Sequence, residues 1–288
     1  MNRLAIGMAL LLLAGPSFAG GADKFKAEEF GDKAKAAKKY VGANAKKIGD
    51  LKGKKLIVLE CVGEFMQERK TIDAGWTTST STISLNDEYY VRTTDRVYEI
   101  VKKVFEDNGV TVAAREELLN NPTYQELDLK SEKGTKGYKG GIGKQGKETK
   151  GVKVSATGMG VFTTFGMFGV LKRLPEIIHQ TGSDGSIRIA YYVDKGKNGA
   201  PVLTKFTVTY DGDLLEQKAG FKGREKITYY TKTQNANLFS LKKGLASQVE
   251  VRGEERGSIN MEAYDAALME MIQTVAGIFN ASLQSGKK

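Results

Sequence analysis

The sequence predicts an α/β (α+β) chain, a mixed sheet with helices packed on it, and three observations predict it. Residues 54–65 (KKLIVLECVGEF) form a continuous apolar run bounded by lysines and Gly63, suited to a central strand buried on both faces. Residues 94–121 read as helix, short strand and short helix, which makes the first two strands parallel. Residues 186–194, 201–213 and 225–233 alternate apolar and polar side chains, and a long apolar-striped helix follows them.

Taken in order, residues 1–19 (MNRLAIGMALLLLAGPSFA) carry a positive start at Arg3, an apolar run and a small-x-small exit at Ser17 and Ala19. That is a secretory signal peptide, and it points to bacterial export to the periplasm or beyond. No cysteine lies near the cleavage point, which excludes a lipid anchor there. Residues 20–53 are a basic Lys/Ala/Gly-rich leader with few apolar residues (Phe25, Phe30, Tyr40, Val41, Ile48). It is read as a solvated segment or as a basic helix on a membrane surface or partner. A single α/β domain is expected over 54–285. Residues 64–91 form a polar excursion with strand-like Ser/Thr.

The helix at 94–107 is capped by Thr94 or Asp95, with its stripe at Val97, Ile100, Val101, Val104 and Phe105, and it ends at Asn108-Gly109. After "VTVAA", "REELLNN" is a short helix stopped before Pro122. Residues 130–153 repeat lysine and glycine at a spacing of three and read as a flexible basic insertion with no core of its own. A Gly/Phe/Met-rich segment, 156–171, precedes a short helix with Pro175 near its first turn. Turns are expected at Lys197-Asn198-Gly199 and around Asp211-Gly212, and the closing helix begins near Asn260.

Residues 139–149 (KGGIGKQGKET) raise a nucleotide question. Gly141-x-Gly143-x-x-Gly146 has dinucleotide-fingerprint spacing, and Gly141-x-x-x-x-Gly146-Lys147 is most of a P-loop. A P-loop needs Ser or Thr after the lysine to hold magnesium, and this chain has Glu148. A fingerprint needs a buried strand before it and an apolar-striped helix after it, and neither is written here. The segment is not read as a nucleotide site, and no cofactor or metal is expected.

The net charge of +10 favours anionic partners such as acidic lipid or glycan, with nucleic acid disfavoured by the signal peptide. The candidate polyanion-binding residues are Lys130, Lys133, Lys136, Lys139, Lys144, Lys147, Lys150 and Lys153. The candidate assembly surface is Phe162, Phe165, Met167 and Phe168, in a segment that reads equally as a core helix or buried loop. Cys61 is the only cysteine, so no disulfide forms within the chain, and its strand setting makes it an inert thiol. His179, the only histidine, leaves little scope for a nucleophilic pair. Glu60 is an acid inside an apolar strand with Glu64 just beyond, either ion-paired or tuned as an acid.

The order of elements carried by "KKLIVLECV", "VYEIVKKVFEDNGVTVAAREEL", "LPEIIHQTGSDGSIRIAYYVD" and "MEAYDAALMEMIQTVAGIF" resembles a small envelope domain. That domain is shared by the TolB N-terminal domain, the penicillin-binding-protein activator lipoproteins and the curli-secretion lipoprotein. The resemblance covers roughly residues 54–120 and 170–283. It departs at the missing anchor cysteine, the Lys/Gly insertion and the Gly/Phe/Met segment. It implies envelope work without catalysis: scaffolding, activating a partner enzyme, or assembling an outer-membrane secretion or appendage complex. With the signal peptide, the reading is a periplasmic or secreted scaffold or accessory component that binds an envelope protein partner or itself as a homo-oligomer. The alternatives are a glycan- or peptidoglycan-acting hydrolase using a carboxylate pair, or polyanion binding through the lysines.

Overall fold

The structure is a computed structural model that describes residues 23–25, 30–31, 39–73, 76–83, 85–127, 135–140, 146–162, 164–196, 199–221, 224–253 and 258–285. The expected signal peptide at 1–19 lies outside these residues. In chain order the elements are β1 (Asp23–Lys24), β2 (Val41–Ala43), α1 (Ala45–Gly49), β3 (Lys55–Asp73), β4 (Trp76–Thr82), α2 (Asp87–Glu106), β5 (Thr111–Val112), α3 (Arg115–Leu119) and α4 (Pro122–Gln125). They continue with β6 (Thr135–Gly140), β7 (Gly146–Ser155), α5 (Thr164–Gln180), β8 (Gly185–Lys195), β9 (Pro201–Phe221), β10 (Arg224–Leu241), β11 (Leu245–Ala246) and α6 (Met261–Ser285).

The fold is α/β, a mixed sheet with helices packed on it. The sheet runs β1-β11-β9-β8-β3-β7-β6, with β10 also on β9, β2 on β10, and β4 and β5 on β3. β3 is parallel to β8 and β5 and antiparallel to β7 and β4. Leu56, Ile57, Val58, Leu59 and Cys61 are all buried, as a strand covered on both faces requires. Cys61, Phe65 and, across the ladder, Ile189 and Tyr191 face α2. There Phe65 packs on Tyr90 (ring centroids 4.5 Å apart), and the Thr94 hydroxyl meets the Tyr191 hydroxyl at 2.8 Å. On the β9–β10 side, Phe239 and Phe105 both close on Phe279 of α6, at 4.9 and 5.4 Å.

α6 is long and apolar enough to cross a membrane, but most of it is buried against the sheet and α2, with Leu268, Ile272, Val275 and Phe279 wholly enclosed. Its start is the expected one: the Asn260 side chain accepts the Ala263 N–H at 3.0 Å.

Gly63 stands opposite Tyr191 in the ladder, and a Cβ on it would lie 2.5 Å from the tyrosine oxygen. Tyr191 is buried and cannot withdraw, so Gly63→Ala should cost about 1–3 kcal/mol. Urea denaturation is the check, and a stability unchanged within error would show that the sheet yields there.

Several expectations are corrected. α2 begins two turns earlier than the sequence suggests, because the Asn86 side chain accepts the Tyr89 N–H at 2.8 Å and Asp87 and Glu88 sit in the first turn. Thr94 is inside the helix, its hydroxyl donating to the Tyr90 carbonyl at 2.9 Å. α5 runs through Pro175, since Val170, Leu174, Ile177 and Ile178 are all buried at helical spacing and their burial outweighs the lost backbone bond.

No turn forms at Asp211-Gly212. β9 continues through it, and a Cβ on residue 212 would meet the Tyr210 ring, so the glycine answers to close approach. The polar excursion at 64–91 is instead the second half of β3, β4 and the first turn of α2. Within the leader, Phe25, Phe30, Tyr40, Val41 and Ile48 are all buried in the common core, with the Phe30 ring packed between those of Phe25 and Tyr40.

Residues read as an insertion without a core supply β6 and β7, and β7 pairs with β3 along ten positions. Lysines three apart would alternate faces on a regular strand. The β3–β7 ladder, however, skips a residue of β3 between Met66 and Glu68, so a spacing of four on β3 matches a spacing of three on β7. Glu64 therefore stands opposite Lys153, and Glu68 opposite Lys150.

Candidate functional site

Two arrangements carry the polar chemistry of the described residues. The first is a row of charged pairs along β3, with Glu60 and Glu64 on the sheet face turned away from α2 and Glu68, past the skipped residue, on the other. Glu60 pairs in register with Arg188 of β8, and Glu64 with Lys153 of β7, whose ammonium is 2.7 Å from the Glu64 carboxylate. Glu68 is flanked by Lys70 at 3.0 Å and Lys150 at 3.6 Å, and these lysines hold its carboxyl below the ordinary range. Arg188 turns to Asp211 of β9 at 3.0 Å and also donates to the Asn235 side chain. Asp211 is fully buried, and its other oxygen accepts the Asn235 N–H at 2.7 Å.

Glu60 has no such close partner in that row. The residue keeps some exposed surface, but protein surrounds its carboxyl closely enough that burial pushes it up to about 7. The charges of Arg188 and Lys153 and a hydrogen bond from the Phe162 N–H pull it down, and they lose to burial, which Glu64 reinforces. Cys61, next to it, is buried on the opposite face with its sulfur 3.8 Å from the Thr94 carbonyl, and burial pushes the thiol far up. It is an inert packing residue, as its strand setting suggests.

The second arrangement is the end of the β9–β10 ribbon. β9 leaves β8 at Gly212, opposite Gly185, and from there to Phe221 its only strand partner among the described residues is β10. At this root the ladder is interrupted between Thr233 and Ala236, and Asp213 and Asn235 take left-handed backbone (φ 57° and 49°). The Thr233 hydroxyl, then Lys54 at 2.9 Å and Lys47 at 3.7 Å, hold the Asp213 carboxyl down at about 2. Beyond the root Leu215 stands opposite Tyr230, 39% and 44% exposed, and Ile227 is 46% exposed. The side of the ribbon that carries Ile227 touches α5 through Tyr229, stacked on His179 with centroids 3.9 Å apart.

The structure places the sequence-derived candidates as follows. Lys150 and Lys153 are engaged with Glu68 and Glu64. Lys136 stands opposite Lys153 and Lys139 opposite Lys150 in the β6–β7 ladder, and Lys147 lies in β7 opposite Thr71. Lys130, Lys133 and Lys144 lie outside the described residues. Phe162 is buried, edge-on to Tyr124 at 6.2 Å. Phe165, Met167 and Phe168 lie in α5, and their side chains are outside the described residues.

Two surface grooves accompany these features. One, of about 810 Å³, lies between α2 and α6 and is lined by Arg92, Asp95, Arg96, Glu99 and Met269. The other, of about 460 Å³, is lined by Glu117, Asn120, Asn121, Pro122, Gln180 and Thr181. Glu60 lines neither. The reading missed the ribbon root because it depends on the two left-handed residues and on lysines from 159 and more positions away. In comparisons with known proteins, no family model, no curated protein and no solved structure matches this chain.

Proposed function

We propose that this chain is a non-enzymatic exported bacterial envelope protein, a scaffold or accessory binding component of an envelope, secretion or appendage assembly, working as an oligomer. The observation that carries the reading is the ribbon beyond Gly212: among the described residues it is two strands with no third strand beside them, with Leu215 against Tyr230 exposed on one face and Ile227 on the other. A two-stranded ribbon is marginal in water, and exposed apolar side chains on it favour a covering partner. Among the described residues the outer edge of β10 over 224–236 pairs with no strand, and it offers backbone groups to the same partner. The occupant we assign is a second copy of this chain.

Sedimentation velocity on the wild type and on the double variant Leu215→Ser/Tyr230→Ser tests this. Concentration-dependent association that weakens at least tenfold in the variant, with an unchanged circular dichroism spectrum, is the expected result. Equal association of both proteins would remove the ribbon from the proposal.

A further inference from the structure

The two ends of the sheet differ in how they receive another strand. At one end β6 is outermost among the described residues, and its ladder with β7 sets Lys136 opposite Lys153 and Lys139 opposite Lys150. Like charges directly across a ladder repel, and lysines on an edge strand deter pairing with another chain. At the other end, the edge of β10 carries a single charged residue, Lys232, between Ile227 and Ala236. Leu215, Ile227 and Tyr230 are exposed there. A head-to-tail contact between copies would lay β10 of one on β6, or on the seven-residue β4, of the next. A two-fold contact lays β10 on itself and leaves the lysine-bearing edge in water.

We propose that two copies pair β10 against β10 antiparallel, about a two-fold axis normal to the sheet that passes through Tyr230. This rests on the self-association reading above and gives it a symmetry and a register. Opposite residues of an antiparallel pair share a face, so the axis makes one residue its own opposite. Tyr230 is the middle residue of the edge at 224–236, and centring there pairs its whole length. Leu215 already stands opposite Tyr230 within each copy. The axis then makes a single row of Leu215, Tyr230, Tyr230 and Leu215 across four strands, packing together side chains that are exposed in one copy. Lys232 falls opposite Thr228 of the second copy and diagonal to its Tyr230, where an ammonium can meet a ring face. Centring on Lys232 would set two ammoniums against each other, and centring on Thr228, Tyr229 or Thr231 breaks the apolar row. The pairing uses both β10 edges, so it closes at two copies.

Cysteine cross-linking tests the register, since Cys61, the only cysteine, is buried. In Thr228→Cys/Lys232→Cys the new thiols face each other across the axis with Cα atoms about 4.5–5.5 Å apart, within disulfide range. In either single variant the two copies' cysteines lie about 13 Å apart. Under a mild oxidant the double variant should give at least about fivefold more covalent dimer than either single variant. A wild type that associates while the double variant stays uncrosslinked, or a single variant that cross-links equally, overturns the pairing and leaves self-association standing. A wild type that stays monomeric at all concentrations overturns both. Should the variants fold poorly, hydrogen exchange on the wild type against concentration decides. Protection that rises on association over 224–236, and not over 135–140 or 76–82, supports the pairing; a rise in β6 or β4 overturns it.

Discussion

Asp211→Ala should destabilise the chain by about 3 kcal/mol, because it takes a buried carboxylate away from the Arg188 guanidinium and from the Asn235 backbone N–H. Asp211 is fully buried, with Arg188 on one oxygen at 3.0 Å and the Asn235 N–H on the other at 2.7 Å. The Asn235 backbone is left-handed, so this N–H is also the contact that holds the ladder interruption in shape. Removing both charges at once, as Asp211→Leu with Arg188→Met, should recover a large part of the loss, since the penalty lies mainly in the stranded partner. Urea denaturation of the two single variants and the double variant measures the coupling. Costs that simply add would mean that the pair is not a unit.

Glu60→Gln should have the opposite sign, and only at high pH. The folded-state value of about 7 lies above the ordinary 4.5, so folding takes up a proton between these limits. Stability linked to this group is therefore greatest below about pH 4.5 and falls as pH rises through 7. The ionised form costs up to about 3 kcal/mol at pH 8. Glutamine keeps an acceptor for the Phe162 N–H and removes the charge. The variant should thus match the wild type near pH 5 and exceed it at pH 8, as read from denaturation midpoints at the two pH values. A variant weaker than the wild type at pH 8 would mean that ionised Glu60 is paired in the native state.

Much of the fold was legible where local pattern and tertiary burial agree. The apolar run at 54–65, the stripe from Val97 to Phe105 and the cap at Asn260 all form what they spell. The failures have a common cause: partners distant in sequence decided the outcome. Lys150 and Lys153 look like solvated insertion until a ladder interruption in β3 brings Glu68 and Glu64 opposite them. Gly212 looks like a turn until Tyr210 is seen to occupy its Cβ space. Phe25 and Phe30 look too sparse to bury until Tyr40 and the sheet supply the rest of their cluster. Of the polar sites, Glu60 stood out from its own strand, whereas the Asp211–Arg188–Asn235 unit had no local signature, since its members are 23 and 24 positions apart.

The central claim is that this chain works by assembling with itself through a sheet extension, and light scattering during size exclusion tests it most directly. The protein lacking residues 1–19 would be measured with and without detergent micelles. The account predicts a defined oligomer, in solution or on micelles, that is lost in Leu215→Ser/Tyr230→Ser. A monomer in both conditions at all accessible concentrations would contradict it.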